Sequence, residues 1–252
     1  PHRLRRSVLL DLDLRFCGTC HQPASNLTPD HSRGPCRRNG SPSRASMSGW
    51  IVESGVEQKW TACREACTAE TVPADKYAEA SICLITVFDV IGAAMKIPKD
   101  DMMGNATAMQ KFSAAAPGKT VQELCEADIA ETGGGDAQKA IKKEGVTVKL
   151  LWLSRAMRFI QILLQALVAD AEASLSDCVR KAYEGSLKQH HGMIVKGVFA
   201  AAVRAVPYRS SFMLGLAPTE AEALAKLGEM LPLIEYINKV NEAFLESKGL
   251  PL

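Results

Sequence analysis

From Trp50 onward, apolar residues recur at intervals of three and four, the spacing that gathers them on one face of an α-helix. Stretches that alternate apolar and polar residues, as half-buried strands do, are scarce. Alanine, leucine, glutamate and lysine, which favour helices, dominate the same region, and no heptad repeat is sustained. The pattern predicts an all-α fold of helices packed on one another.

Proline and glycine divide this region into predicted helices, because both residues interrupt regular helical backbone. Thr219 followed by Glu222 has the spacing of a capping box at the start of the last helix. The predicted helices span about 50–69, 74–94, 100–115, 119–131, 135–170, 175–206, 208–215 and 219–246.

Residues 1–46 differ in composition from the rest of the chain. They contain eight arginines, no lysine and three aspartates, a charge of +5; since the whole chain carries +2, residues 47–252 carry −3. The segment is rich in Pro, Ser and Gly and has no helical or strand period. We expect 1–46 to be a disordered or non-native tail and 47–252 to be the folded domain. An Arg-rich organelle targeting peptide stays open as the alternative.

Charge and hydropathy exclude several classes of protein. A body with a charge of −3 lacks the basic footprint of a nucleic-acid binder. No secretory signal is evident, so we expect a cytoplasmic protein whose cysteines are free thiols. The most apolar segment, residues 146–169, contains Lys149, Arg155 and Arg158, which favours a long core helix over a membrane span.

The residue patterns of enzymes and metal sites are weak in this chain. Cys17-Gly-Thr-Cys20-His21 has the spacing of a haem attachment site, and Cys36 could be added to draw a zinc site, but both fall in the aperiodic tail. The body shows no paired catalytic carboxylates, no nucleophile elbow and no phosphate-binding glycine loop. We therefore predict a protein that is not an enzyme, with no catalytic residue, no metal and no cofactor.

Three segments, in order and at matching intervals, resemble the glycolipid transfer protein family. They are Asp101–Thr107; Thr147–Gln161; and a third that runs from Lys181-Ala-Tyr183 through His190–Val195 to Val206–Phe212. The resemblance covers about residues 74–245. It implies a two-layer sandwich of about eight helices that moves a glycosphingolipid between membranes as a monomer, with transient membrane contact.

The resemblance also assigns residues to roles. It implies that the lipid head group binds Asp101, Asn105, Trp152 and His191. It also implies that the acyl chains occupy a collapsible tunnel lined by Val148, Phe159, Leu187 and Phe199. It places Met193 and Tyr208 at the membrane surface.

The head-group residues have chemistry that fits such a role. Asp101 and Asn105, four residues apart, project from one helix face and offer a carboxylate and an amide to hydroxyl or N–H groups. The Trp152 indole is a flat apolar plate for a sugar ring, and His191 can donate a hydrogen bond to a carbonyl. Taken alone, these residues are more typical of a solvated helix face and of ordinary core packing, and the resemblance is what favours a binding role.

The chain departs from the family pattern at positions that bear on its ligand. Family members that carry ceramide-1-phosphate have arginines at the positions of Val148 and Trp152, so a neutral sugar is expected here. Ala108 replaces a sugar-binding lysine, with Lys111 one turn later, and Met193 replaces a tryptophan that docks on membranes. These changes leave a sphingolipid sensor or interaction module without efficient transfer as the alternative function.

One short segment matches a partner-binding motif in part. Thr86-Val-Phe-Asp-Val90 stands where some relatives carry a phenylalanine-aspartate motif for endoplasmic-reticulum adaptor proteins, but it lacks the paired phenylalanine. An adaptor of this kind is the one protein partner that the sequence offers.

Overall fold

The computed structural model describes residues 49–252, and Ser48–Leu252 forms one compact unit. Across the described residues the secondary structure is helical without a β-strand, apart from an isolated bridge between Pro73 and Thr120. The all-α prediction is therefore confirmed. The predictions for the tail, including the targeting peptide and the Cys17–His21 motif, lie outside the described residues.

The helices are numbered here in chain order over the described range. They are α1 Gly49–Ser54, α2 Val56–Ala66, α3 Ala74–Ile85, α4 Val87–Ile91, α5 Lys96–Ala115, α6 Val121–Gly133, α7 Ala137–Ala140, α8 Val146–Ala169, α9 Leu175–Glu184, α10 Met193–Arg204, α11 Arg209–Leu216 and α12 Glu220–Ser247. Ala93–Met95 and Leu187–His190 form short 3-10 turns. Of the capping box predicted at α12, one bond forms: the Thr219 side chain accepts from the Glu222 N–H. A full capping box, which was not predicted, joins Thr120 and Glu123 at the start of α6.

The described helices outnumber the predicted eight because several long segments break. Gly55, with φ of +65°, separates α1 from α2 in a left-handed conformation that glycine adopts without strain. The segment predicted as 175–206 breaks between Glu184 and Met193, where Gly185 and Gly192 flank a 3-10 turn. Conversely, Pro98 does not precede α5 but lies in its first turn, where a missing N–H costs no hydrogen bond.

Helix α8 is the centre of the fold. It packs against α5, α6, α9 and α12, while α3 packs on α2 and α5, and α2 packs on α12, which closes a ring of helices around the core. By length and composition alone α8 could cross a membrane, but 67% of its apolar window is buried inside the protein. Burying a leucine or phenylalanine side chain contributes about 1.5–3 kcal/mol. This burial identifies α8 as the core helix that its charged residues predicted.

The start of α8 is fixed by a buried carboxylate. Asp128 on α6 accepts hydrogen bonds from the backbone N–H of Thr147, at 2.8 Å, and from its hydroxyl, at 2.5 Å. Such a cap satisfies N–H groups that have no partner within the helix and favours a negative charge at the helix N-terminus. Gly145 makes this possible, because a Cβ atom there would collide with the Asp128 carboxylate. The cap sets the position of the α8 side chains that follow, Trp152 among them.

Candidate functional site

Asp101 and Asn105 lie one turn apart on α5, as their spacing predicted. The side-chain N–H of Asn105 donates to the backbone carbonyl of Asp101 at 3.1 Å, and Asn105 is only 8% exposed. This bond uses one donor of the amide and leaves its Oδ1 as an acceptor without a partner among the described residues. The pair therefore presents an amide and a carboxylate held in fixed relation.

The carboxylate of Asp101 is desolvated without a compensating hydrogen bond from the described part of the chain. Burial raises the pKa of this carboxyl from its ordinary 3.8 to about 6, and the positive charge of Lys149 on α8 only partly opposes that rise. Lys149 itself is ion-paired with Glu144 at 2.8 Å. A half-buried acceptor with no hydrogen-bond partner among the described residues is available to an N–H or O–H donor from a ligand.

Replacing this carboxylate is expected to stabilise the fold at neutral pH. Since its folded pKa lies above that of the unfolded chain, the free energy of unfolding falls as the pH rises from about 4 to about 6. Asp101→Asn removes that cost, so at pH 7 we expect it to raise the free energy of unfolding by roughly 1 kcal/mol, discounted from 1.36 per pKa unit because the group is partly accessible. Urea unfolding at pH 4 and pH 7 measures it.

The control is the exposed neighbour Asp100, which pairs with Lys96 at 2.6 Å. Asp100→Asn should lower stability slightly or leave it unchanged at pH 7. A loss of stability in Asp101→Asn as large as or larger than that in Asp100→Asn would mean that the Asp101 carboxylate is satisfied within the fold.

Trp152 and His191 form the second pair of predicted residues. Trp152 lies on α8, and His191 lies between the 3-10 turn Leu187–His190 and α10. Their rings stack with centroids 6.0 Å apart and planes 20° from parallel. The Tyr183 hydroxyl lies 3.1 Å from His191 Nδ1. When that hydroxyl donates, the neutral imidazole carries its proton on Nε2, which makes Nε2 a donor.

The structure adds three residues to this pair that were not predicted as site residues. Tyr183 orients His191; Arg155 places its guanidinium 4.9 Å from the centre of the Trp152 ring; and His190 meets that ring edge-on at 6.4 Å. The spacing of Arg155, three residues after Trp152 on one helix, could have revealed it. The Tyr183 contact could not have been found, because it spans a helix end and a 3-10 turn.

Burial lowers the pKa values of two of these added residues, His190 and Arg155. It lowers the pKa of His190 to about 4, with a further contribution from the nearby Arg155 charge, so His190 is neutral at pH 7. It also lowers the pKa of Arg155 to about 10, where the guanidinium remains charged. Arg155 donates to the Pro251 carbonyl at 3.0 Å. Around Trp152 the site thus offers an aromatic plate, the neutral imidazole of His190, the ring of His191 and one cation.

Three of the four predicted head-group residues lie on neighbouring helices: Asp101 and Asn105 on α5, and Trp152 on α8. Helix α5 packs on α8, and Lys149, whose charge acts on Asp101, stands one turn before Trp152. No hydrogen bond or ring contact within the described range joins one pair to the other directly, nor does that range contain a cluster of three metal-ligating side chains. The arrangement can accept and donate hydrogen bonds around an apolar plate, as binding of a polar, uncharged group requires.

All four residues predicted to line a tunnel are buried in the core: Val148, Phe159, Leu187 and Phe199. Phe199 stacks on Tyr183 at 3.8 Å and meets Phe159 edge-on at 5.7 Å, and Phe159 stacks on Phe88 at 6.0 Å. A continuous row of aromatic rings therefore leads from the partner of His191 into the interior. That interior is closed by the packing of these side chains.

Large apolar side chains are exposed around the start of α10 and before α11. Met193 is 82% exposed and Tyr208 86%, and Ile194, which was not predicted, is 79% exposed. Among the described residues they form the most exposed apolar positions, and such positions mark surfaces that meet a partner or a membrane.

The proposed adaptor motif is placed differently. Phe88 is 1% exposed and stacks on Phe159, while Asp89 pairs with Lys99 at 2.6 Å. A partner that must bind the phenylalanine ring cannot reach it in this fold. The burial of Phe88 argues against the adaptor prediction.

Comparison with known proteins links this geometry to one family. Residues 72–218, more than half of the chain, match the family model described as glycolipid transfer protein. A glycolipid transfer protein of Danio rerio is 37% identical over 178 residues, which cover 64% of this chain and 83% of the relative. One of Aureobasidium melanogenum is 34% identical over 176 residues, covering 69% of this chain and 83% of the relative.

A solved structure supports the same relation. The crystal structure of HET-C2, a fungal glycolipid transfer protein, superposes with a TM-score of 0.63 at 32% identity, covering 73% of this chain and 90% of that one. The similarity of sequence and of backbone confirms the predicted fold class, an all-α helical sandwich of this family.

Proposed function

The chain belongs to the glycolipid transfer protein family, and on this premise we propose that it carries one glycosphingolipid at a time between membranes. No bond is made or broken in this process, so the protein is not an enzyme and needs no cofactor. The observation that carries the proposal is the half-buried Asp101 carboxylate without a hydrogen-bond partner among the described residues, on the helix that packs against the helix of Trp152.

Each polar group has one role in holding the lipid. Asp101 accepts the amide N–H of the ceramide, and His191, oriented by Tyr183, donates from Nε2 to the amide carbonyl. Asn105 hydrogen-bonds sugar hydroxyls, and the sugar ring lies on the indole of Trp152. Together these contacts recognise the junction between sugar and amide, which glycosphingolipids share whatever the length of their acyl chains.

The acyl chains need an enclosed apolar path during transfer. At about 0.8 kcal/mol per CH₂ group, two long chains left in water would cost well over ~20 kcal/mol. Val148, Phe159, Leu187 and Phe199 are the residues that would move apart to admit them. Their closed packing describes the protein without lipid, and the aromatic row behind Tyr183 gives the direction of entry.

A neutral sugar is the preferred head group. Val148 and Trp152 offer no charge where a phosphate would need paired cations, and bidentate arginine contacts are the usual means of holding phosphate. Arg155 is the cation nearest to Trp152 in this set, but one of its donors is committed to the Pro251 carbonyl.

Transient membrane contact completes the cycle. Met193 and Tyr208, together with the similarly exposed Ile194, enter the membrane interface. The protein otherwise works in the cytoplasm as a monomer, since one chain supplies every residue of the site. A methionine anchors less firmly at an interface than the tryptophan of the family, which favours fast release. The glycosphingolipid and the membrane are the partners; nucleic acid is not.

Transfer of fluorescent lipids between vesicles tests the proposal. The full chain should move galactosylceramide and should move ceramide-1-phosphate and phosphatidylcholine at least tenfold more slowly. Equal movement of all three lipids would reject the head-group assignment. No movement by a folded protein that nevertheless binds galactosylceramide would establish the second candidate function, a sphingolipid sensor of the same fold.

The sensor is favoured by one observation, the alanine at position 108. Lys111 is exposed and lies six residues after Asn105, about 9 Å along the helix axis, so it must reach back to touch the sugar. Restoring the lysine with Ala108→Lys should raise the affinity for galactosylceramide about tenfold, since a hydrogen bond to a charged group contributes about 1.5–3 kcal/mol. Titration calorimetry measures the gain.

The matched control is Lys111→Ala, which tests whether the native lysine already serves the sugar. If Lys111→Ala lowers affinity and Ala108→Lys adds nothing, the function of the missing residue has moved one turn along α5, and efficient transfer is expected without repair.

A further inference from the structure

A groove lies between α9 and α10, the helix whose first two residues are the exposed Met193 and Ile194. Its narrow part has a volume of about 290 Å³, and its floor includes Tyr183 and Phe199, the two rings stacked at 3.8 Å. Its wider part, of about 660 Å³, shares Arg180, Val203 and Arg204 with the narrow part and reaches Tyr208. The groove thus runs from the aromatic pair to a side chain proposed to touch membranes.

The rim of the narrow part is basic. Its charged residues are Arg180, Glu184, Lys188, Lys196 and Arg204. Glu184 is held by Lys188 at 2.8 Å, and Arg180 is paired with Asp177. Lys196 and Arg204, both on α10, make no ion pair with any residue in the described range. Two cations without carboxylate partners therefore face an apolar floor.

The wider part is closer to neutral. Glu220 is paired with Arg209 at 2.8 Å, and Glu172 stands opposite Arg180 and Arg204. The positive charge of the groove is consequently concentrated along α10, on a body that carries a net charge of −3. An anion approaching the protein is attracted to this rim while the rest of the surface repels it.

We propose that the groove between α9 and α10 binds the phosphate of an anionic glycerophospholipid in the membrane on which the protein docks. The phosphate lies between Lys196 and Arg204, and the start of a lipid chain covers the Tyr183 and Phe199 floor. The proposal rests on the membrane contact proposed above. It adds that docking is selective for anionic leaflets and that a resident phospholipid is bound beside the transferred lipid.

A membrane explains the groove better than a soluble anion does. Met193, Ile194 and Tyr208 remain in water when a soluble phosphate binds, whereas a lipid surface covers them and fills the groove together. Cationic side chains near an anionic leaflet are attracted by its negative surface potential. The apolar floor makes no favourable contact with a free phosphate, but it can bury the start of a lipid chain away from water.

The test is vesicle binding by the double variant Lys196→Glu/Arg204→Glu. Binding to vesicles of phosphatidylcholine with one fifth phosphatidylglycerol should fall at least tenfold, while binding to pure phosphatidylcholine stays within about twofold of the unchanged protein. The matched control is Lys76→Glu/Lys239→Glu, two exposed lysines on α3 and α12 that give the same change in net charge outside the groove. An equal fall in both double variants, or in neither, would overturn the proposal.

Two further measurements separate the possible causes of failure. Inorganic phosphate should weaken binding to anionic vesicles no more than chloride at equal ionic strength; stronger competition would mean a site for free anions and would overturn the lipid assignment. Galactosylceramide transfer between phosphatidylcholine vesicles reports the proposed function independently, and we expect the groove variant to retain it. Unchanged urea midpoints show that both variants fold.

Discussion

Asp101→Val is expected to reduce galactosylceramide transfer at least a hundredfold while leaving the protein folded. The variant removes the only carboxylate assigned to the ceramide amide, and its N–H would then be buried against a methyl group. A hydrogen bond to a charged partner contributes about 1.5–3 kcal/mol, and an unsatisfied buried donor costs about as much again. Initial rates of transfer between vesicles measure the loss.

Asp100→Val is the matched control for this loss. Asp100 precedes Asp101 on α5 but is exposed and paired with Lys96. Its variant should transfer lipid within about twofold of the unchanged protein. If both variants lose transfer to the same extent, the effect comes from the helix or from net charge, and Asp101 does not contact the amide.

The carboxylate also predicts a pH dependence in the same assay. The ionised form accepts the amide N–H more strongly than the protonated form does, and burial raises the pKa of Asp101 to about 6. Transfer by the unchanged protein should therefore decline as the pH falls through 6. Lipid binding opposes this, because an ionised carboxylate paired with an N–H has a lower pKa than the empty site. Transfer that stays constant down to pH 4 would mean that the protonated carboxyl serves equally well.

Periodicity and spacing predicted the fold class and the local geometry of α5. Both depend on neighbours along one helix: an apolar period of three and four gives a buried face, and residues four apart share a face, as Asp101 and Asn105 do. The core helix 146–169 was equally visible, since its apolar residues recur at helical spacing and its three cationic residues fall at partly exposed positions of α8. Sequence spacing was sufficient for features that depend only on residues close together along one helix.

The remaining features depend on contacts between distant segments. The breaks at Gly185 and Gly192 follow from the way α9 and α10 pack, which helix propensity does not describe. The contact of Tyr183 with His191 requires the chain to turn between them, and the raised pKa of Asp101 requires burial by other helices. The closed state of the tunnel is likewise a property of packing, since its residues are equally apolar whether open or closed.

Trp152→Ala is expected to reduce galactosylceramide transfer by at least about thirtyfold, the effect of losing an aromatic residue that contributes 2 kcal/mol or more to binding. The indole has two functions that an alanine removes together: it is the plate for the sugar, and it stacks on His191 at 6.0 Å. Without it His191 loses its stacking partner while its contact with Tyr183 remains, and the Arg155 guanidinium loses the ring beside it. Transfer rates and binding affinity should both fall.

Trp152→Phe distinguishes the contribution of the flat aromatic surface from that of the indole N–H. A phenyl ring keeps an apolar surface for the sugar and for His191 but donates no hydrogen bond, so transfer should recover to within about tenfold of the unchanged protein. Recovery would assign most of the effect to stacking. If Trp152→Phe is as inactive as Trp152→Ala while both fold, the indole N–H is the essential group, and the sugar must then be held edge-on rather than across the ring.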